Sequence, residues 1–216
     1  MHLHELLAAM HAVIQPKQYL EVGVQHGTSL NLAVTADRAA GIDPAPLVTA
    51  HGNQAIYRMT SDDYFEQAND ADIQSPIDFG FIDGMHRFEY AVRDFLNMER
   101  YTHNRSVIVF DDVLPRNQEE ANRVQCPGDW TGDVWKVTHM LLKYRPELQI
   151  REVNTTPTGT LVVWGFFAGR ANYVPYPMYK HVGEYMDLAE VPAPTLNRDY
   201  AVEPEEVLKE IEEFLA

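Results

Sequence analysis

The sequence predicts an α/β fold: a doubly wound, mostly parallel sheet with helices on both faces. Three observations carry that prediction. Short β-branched or aromatic runs alternate with longer amphipathic stretches, the pattern of parallel strands joined by helical crossovers. Residues 77–82 and 106–110 are almost continuously apolar, as strands covered on both faces must be. A turn bearing Gly23 and Gly27 follows the first strand, at the edge where such sheets bind ligands.

A first helix is expected over 2–14, where Leu3, Leu6, Leu7, Met10, Val13 and Ile14 share a face and Pro16 stops it. Strand one covers 18–22; the glycine turn and a helix over 28–36 come next. Strand two, 40–42, closes at Asp43-Pro44, and 55–58 is strand three. Ser61, Asp62 and Asp63 start a helix over 64–69. Strand four is 77–82. A helix over 86–101 shows helical spacing through Phe88, Ala91, Val92, Phe95 and Met98. Strand five, 106–110, leads into a long connection, 114–132, and a helix over 134–144, with Asp133 as its N-cap and Trp135 in the core. Residues 149–153 and 159–166 form a closing antiparallel pair across a turn with Pro157 and Gly159. Beyond Gly169, Pro and Tyr crowd 172–177 and 191–197, and only 204–215 reads as a helix, with Pro204 at its start. The expected organisation is one domain over 1–169 and a C-terminal extension over 170–216, packed on that domain or on a partner subunit in a homodimer.

The chain has 216 residues and a formal net charge of -15. A field of that sign repels phosphate backbones and anionic lipid, which argues against nucleic-acid and membrane partners. It also suits a bound divalent cation. Cys126 is the single cysteine, so no intramolecular disulfide forms. The first residues have helical apolar spacing rather than a basic segment before an apolar run, and no stretch is long enough to span a membrane. A cytoplasmic protein is expected.

Glu21-x-Gly23-x-x-x-Gly27 sits between strand one and the next element. A dinucleotide fingerprint needs glycine where Gln25 stands, so close approach of a pyrophosphate is disfavoured. A carboxylate at Glu21 suits a cationic ligand; a tight turn with no ligand is the plainer reading. Asp43 ends strand two, where an acid can accept hydrogen bonds from ribose hydroxyls or simply form a turn before Pro44. Asp83 ends strand four, and Asp111 and Asp112 end strand five, so adjacent parallel strands set three carboxylates on one rim. Without a thiolate, they favour a hard ion such as Mg2+, Mn2+ or Ca2+. His86, three residues past Asp83, titrates nearest neutral pH and could take a proton, or could merely start a helix.

The Glu21–Gly27 motif resembles the first motif of class I S-adenosylmethionine-dependent methyltransferases. The resemblance covers about 19–165 and extends through Phe81-Ile82-Asp83-Gly84-Met85-His86, Arg93-Asp94, 107–113, 130–136 and 157–159. It is closest to small bacterial domains related to metal-dependent sugar and antibiotic O-methyltransferases. It implies a Rossmann-like methyltransferase fold with seven strands in the order 3-2-1-4-5-7-6, the last strand antiparallel. It further implies that Glu21, Gly23, Gly27 and Asp83 border the cofactor, that Asp43 holds its ribose, and that Ser61 or Asp62 reaches its adenine. Asp83, Asp111 and Asp112 would hold the metal and His86 would deprotonate a small-molecule hydroxyl, so the expected catalytic pair is His86 and Asp83. Trp130 could roof the substrate. Two rivals stay open: metal-independent methyl transfer to nitrogen or a carboxyl, and a non-catalytic S-adenosylmethionine-binding module.

Overall fold

The computed structural model describes residues 1–67, 76–167 and 177–216. Helix α1 (Leu3–Ile14) is opened by a capping box, His2 with Glu5, and closed by Gln15 in a left-handed conformation before Pro16. Strands β1 (Gln18–Val22), β2 (Arg38–Ile42) and β3 (Gln54–Tyr57) come next. Then follow α2 (Ser61–Gln67), β4 (Ile77–Ile82), α3 (Phe88–Glu99), β5 (Thr102–Phe110), α4 (Lys136–Tyr144), β6 (Gln149–Val153) and β7 (Thr160–Trp164). The C-terminal part contributes a 3-10 segment (Pro177–His181) and helices α5 (Val182–Met186), α6 (Ala193–Leu196) and α7 (Pro204–Leu215).

The sheet order is β3-β2-β1-β4-β5-β7-β6, with β7 antiparallel to both neighbours and the other pairings parallel. This is the expected seven-stranded order. One apolar layer, with Phe88, Val92, Phe95 and Met98 of α3 and Val137, Met140 and Leu141 of α4, covers one face. The other holds Leu3, Leu6, Leu7 and Met10 of α1 with Val207 and Ile211 of α7.

Register places the site. Val22 lies level with Ile42 and with Ile82, and Ile82 with Phe110. The next residue on each strand is therefore Gly23, Asp43, Asp83 and Asp111, in one row along the carboxyl rim. Backbone bonds carry the ladder that one step further: Gly23 N–H to Ile42 O at 2.9 Å, Asp83 N–H to Val22 O at 2.8 Å and Asp111 N–H to Ile82 O at 3.1 Å.

Four expectations change. The helix expected over 28–36 is a single 3-10 turn, Leu30–Leu32. Asn53 reaches across and donates to the carbonyls of Ala33 and Ala36 at 2.9 and 2.7 Å, satisfying groups that a helix would otherwise have to satisfy itself. Strand β5 begins at Thr102, because Thr102 pairs with Ile77 ahead of a register shift. Asp133 caps α3 rather than α4, accepting from Phe88 N–H at 2.9 Å. Short helices also occupy the C-terminal part ahead of α7. The boundary at 169/170, the 172–176 stretch and the last two residues of the helix expected over 64–69 lie outside the described residues.

Candidate functional site

The turn after β1 depends on Gly23, whose φ is +92°; a Cβ there would sit 1.9 Å from the Asp83 carbonyl oxygen. The turn can therefore press directly on the exit of β4. Gly27 packs against Val48. Asp43 clasps the same turn: its Oδ2 accepts from the N–H groups of Val24 and Gln25 at 3.0 and 2.8 Å, and its Oδ1 from Ala45 at 2.7 Å. A carboxylate offers about four acceptor positions, so one remains for a ligand.

Glu21 does not line the cleft. It is sealed inside, where its two oxygens accept from Tyr19 and Ser29 at 2.7 and 2.8 Å. Burial pushes its carboxyl up to about 8 despite those bonds, so it is neutral at pH 7. Its contact with a cationic ligand, expected from the motif, is replaced by a bond that ties β1 to the following turn.

Past β3, Asp62 is taken by Arg93 at 2.6 Å, and the Thr60 hydroxyl bonds to Asp63 at 2.7 Å. Ser61 stands close enough to Asp94 of α3 to stabilise its carboxylate. Asp94 is buried, and its Oδ1 has no partner among the described residues. Burial lifts its carboxyl to about 7 against the pull of Ser61. The sequence signal for it was a carboxylate on the apolar face of α3, three residues after Ala91 and one before Phe95.

At the ends of β4 and β5, donor atoms of Asp83, His86 and Asp112 all lie within 4.8 Å of one another. The His86 ring bridges the carboxylates, with Nε2 3.1 Å from Asp83 Oδ1 and Nδ1 3.0 Å from Asp112 Oδ2. Burial disfavours its charge, but the bonds to Asp112 and Asp83 overcome that and raise it to about 11, so the ring is an imidazolium here. Burial also pushes Asp83 up, and Asp111 further, the latter helped by the charges of Asp112 and Asp83. Asp111 lines the same cleft but stands outside the tight triad, where His86 takes the place expected for it.

His86 and Asp112 both have positive φ, +52° and +66°, a conformation that costs a non-glycine residue energy and needs support. The connection after β5 supplies it. Trp130 stacks on the His86 ring, centroids 5.2 Å apart, and its carbonyl lies 2.8 Å from Nδ1. Gly132 backs onto the His86 carbonyl, where a Cβ would come within 1.7 Å. The buried Asp133 fastens this connection to Arg123 and Lys136 at 2.6 and 3.0 Å. Trp130 thus covers one face of the His86 ring, and Trp135 is in the core as expected.

Two carboxylates and an imidazole, once it has given up a proton, form with the adjoining Asp111 a donor set that fits a divalent cation such as Mg2+ or Mn2+. The spare acceptor position on Asp43, the orphaned Asp94 oxygen and the carboxylates of the rim suit in kind the hydroxyls, amine and positive charge of a nucleoside with a cationic tail.

Comparisons with known proteins agree with this architecture. Residues 20–113 match the family model described as a methyltransferase domain. No curated protein matches the chain. Among solved structures, cofactor-bound Rv0187 from MTB is 17% identical, with a TM-score of 0.59 over 76% of this chain and 79% of that one. TomG, a Streptomyces achromogenes O-methyltransferase involved in tomaymycin synthesis and solved with SAM, is 18% identical, with a TM-score of 0.53 over 77% and 79%. The O-methyltransferase from Bacillus cereus, in complex with SAH, is 14% identical, with a TM-score of 0.53 over 74% and 78%. The chain therefore has the class I methyltransferase fold. Within that fold, the stretch that matches the methyltransferase-domain model, residues 20–113, runs from β1 to the rim beyond β5.

Proposed function

We propose that the chain transfers a methyl group from S-adenosylmethionine to a hydroxyl of a small molecule, with Mg2+ or another hard divalent cation at the acceptor site. The convergence of Asp83, His86 and Asp112 on the rim beside the glycine turn is the observation that supports it most. The turn from Gly23 to Gly27 and Asp43 hold the nucleoside, and Asp83 stands between the two halves of the site. When bound, the cofactor supplies an electrophilic methyl and the cation lowers the pKa of a coordinated hydroxyl. The chain's own residues do the rest. Asp83 and Asp112, with Asp111 beside them, hold the charge. His86 donates from both ring nitrogens as it stands; with the carboxylates holding a cation it would lose one of those protons to solvent, and the nitrogen so freed could accept the hydroxyl proton. Trp130 shields one face of that ring. The charge of -15 supports a small acceptor over nucleic acid or a membrane surface, and a cytoplasmic homodimer is the proposed setting. No helix of the described residues is long and apolar enough to cross a membrane.

One observation favours a second reading. The His86 imidazolium already neutralises Asp83 and Asp112, as metal-independent transfer to nitrogen or a carboxyl would require. Calorimetry with S-adenosylhomocysteine and with Mn2+ separates the readings. The proposal expects both to bind and Asp112→Asn to weaken Mn2+ by about tenfold or more. Unchanged Mn2+ binding in that variant leaves the metal-independent reading, and no binding of S-adenosylhomocysteine removes both.

A further inference from the structure

The loop after β3 is where a class I methyltransferase is expected to meet the adenine, and here its acidic side chains each have a partner already. Asp62 pairs with Arg93, Asp63 bonds to Thr60, and Ser61 stands close to Asp94. The acceptor left over is one helix away. Asp94 Oδ1 is buried and has no partner among the described residues. Its carboxyl lies between Ser61, at the start of α2, and Gly84, where a Cβ would approach Asp94 Oδ2 to 3.6 Å. Gly84 follows β4 at the crevice between β1 and β4, where strand order reverses and where such sheets take nucleosides, and Ser61 follows β3 on the same carboxyl rim. Asp94 also lines the cleft that holds Asp83 and His86.

We infer that Asp94, and not Asp62, is the acceptor for the exocyclic amino group of a bound purine nucleoside. The inference rests on the cofactor reading above and assigns a residue that the motif did not. A buried carboxyl with an orphaned oxygen weakens the empty protein, because it has lost water and gained nothing in return. A ligand N–H supplies the missing partner. Removing the carboxyl should therefore have two effects of opposite sign: a more stable free protein and poorer recognition of the amine. A side chain with a merely structural role would lower stability on removal.

The experiment uses the full chain, with S-adenosylhomocysteine and S-inosylhomocysteine as probes. The second replaces the amino donor with a carbonyl. Wild type is expected to prefer the adenosyl ligand about tenfold or more in calorimetry. In Asp94→Leu the preference should shrink to within about twofold while the melting temperature holds or rises. Asp94→Asn, nearly identical in shape, serves if the leucine variant does not fold; it keeps an oxygen for Ser61 and should also lose most of the preference. Discrimination retained in the variants, or absent in wild type that binds both ligands, overturns the assignment and leaves the cofactor reading standing. If wild type binds neither ligand, the cofactor reading fails and the assignment with it.

Discussion

Glu21 shows how one residue's surroundings can reverse its expected role. At the second-last position of β1 it has the spacing of a ligand-facing acid, yet Tyr19 and Ser29 close over it. Spacing cannot tell which neighbours bring hydroxyls to a carboxylate; those contacts arise only when the chain after Gly27 folds back on the strand. The consequence is measurable. Burial raises the folded-state value from 4.5 to about 8, so between those limits the folded chain keeps a proton that the unfolded chain has released. Stability from this group is complete below about pH 4.5 and is lost as pH rises towards 8. Each pH unit well inside that window costs about 1.4 kcal/mol, less at its two ends, so urea unfolding at pH 5 and pH 8 should show Glu21→Gln gaining about 3.5 kcal/mol on wild type. An equal difference at both pH values would mean that Glu21 is ionised in the fold. The carboxylates at 43, 83, 111 and 112 were legible for a different reason: each directly follows a strand end or lies one residue beyond it, so register alone sets them on the rim.

Among the elements, β1, β4 and β6 were readable to the residue; the runs of β1 and β4 are bounded by Lys17 and Gly23 and by Pro76 and Asp83, and β6 ends at Asn154 before the turn with Pro157 and Gly159. The connection after β1 was not. Its Leu, Val and Ala content permits a helix, but Asn53 beside β3 answers its carbonyls from outside, a long-range pairing that local pattern does not contain. The connection after β5 hides more. Asp133 was expected to start α4; instead it caps α3 and joins Arg123 to the buried Lys136. That makes it the fastener of the Trp130–Gly132 segment that supports the left-handed His86. Asp133→Ala would strand a buried ammonium and an open helix end together, so it should destabilise by about 3–5 kcal/mol. Loss of under about 1 kcal/mol in urea would show that the network is not held in solution. Gly132→Ala tests the support directly: a Cβ 1.7 Å from the His86 carbonyl must displace one backbone. It should cost about 2–4 kcal/mol and shift the His86 ring resonances in a spectrum of the folded protein; unshifted resonances would separate His86 from this connection.

For the whole molecule the open matter is whether the C-terminal part is an appendage. The expected boundary at 169/170 treated it as one, packed over the domain or a partner. The described residues argue that it completes the domain's own core. Val207 and Ile211 of α7 are fully buried against α1, on the face that also carries Tyr19 and Phe79 of the central strands. Arg198 binds the carbonyl oxygens of Thr155 and Leu114 at 2.9 and 3.3 Å, joining this segment to the loops at the rim. Gln118 exchanges two bonds, each 2.9 Å, with the Val191 backbone, and Val191 packs with Ala121 and Trp135 under the connection that carries Trp130. The path from the tail to the His86 support is thus continuous packing, though the family match stops at 113. Ile211→Ala should then cost about 2–4 kcal/mol, as for a methylene-filled core position. Removing 203–216 should expose the apolar face of α1 and lower the melting temperature by well over 10 °C, at about 2–4 °C per kcal/mol for a chain of this size. Thermal unfolding followed by circular dichroism reads both. A truncated chain that melts like the full one would restore the appendage view and direct attention to a partner subunit as the reason for the tail.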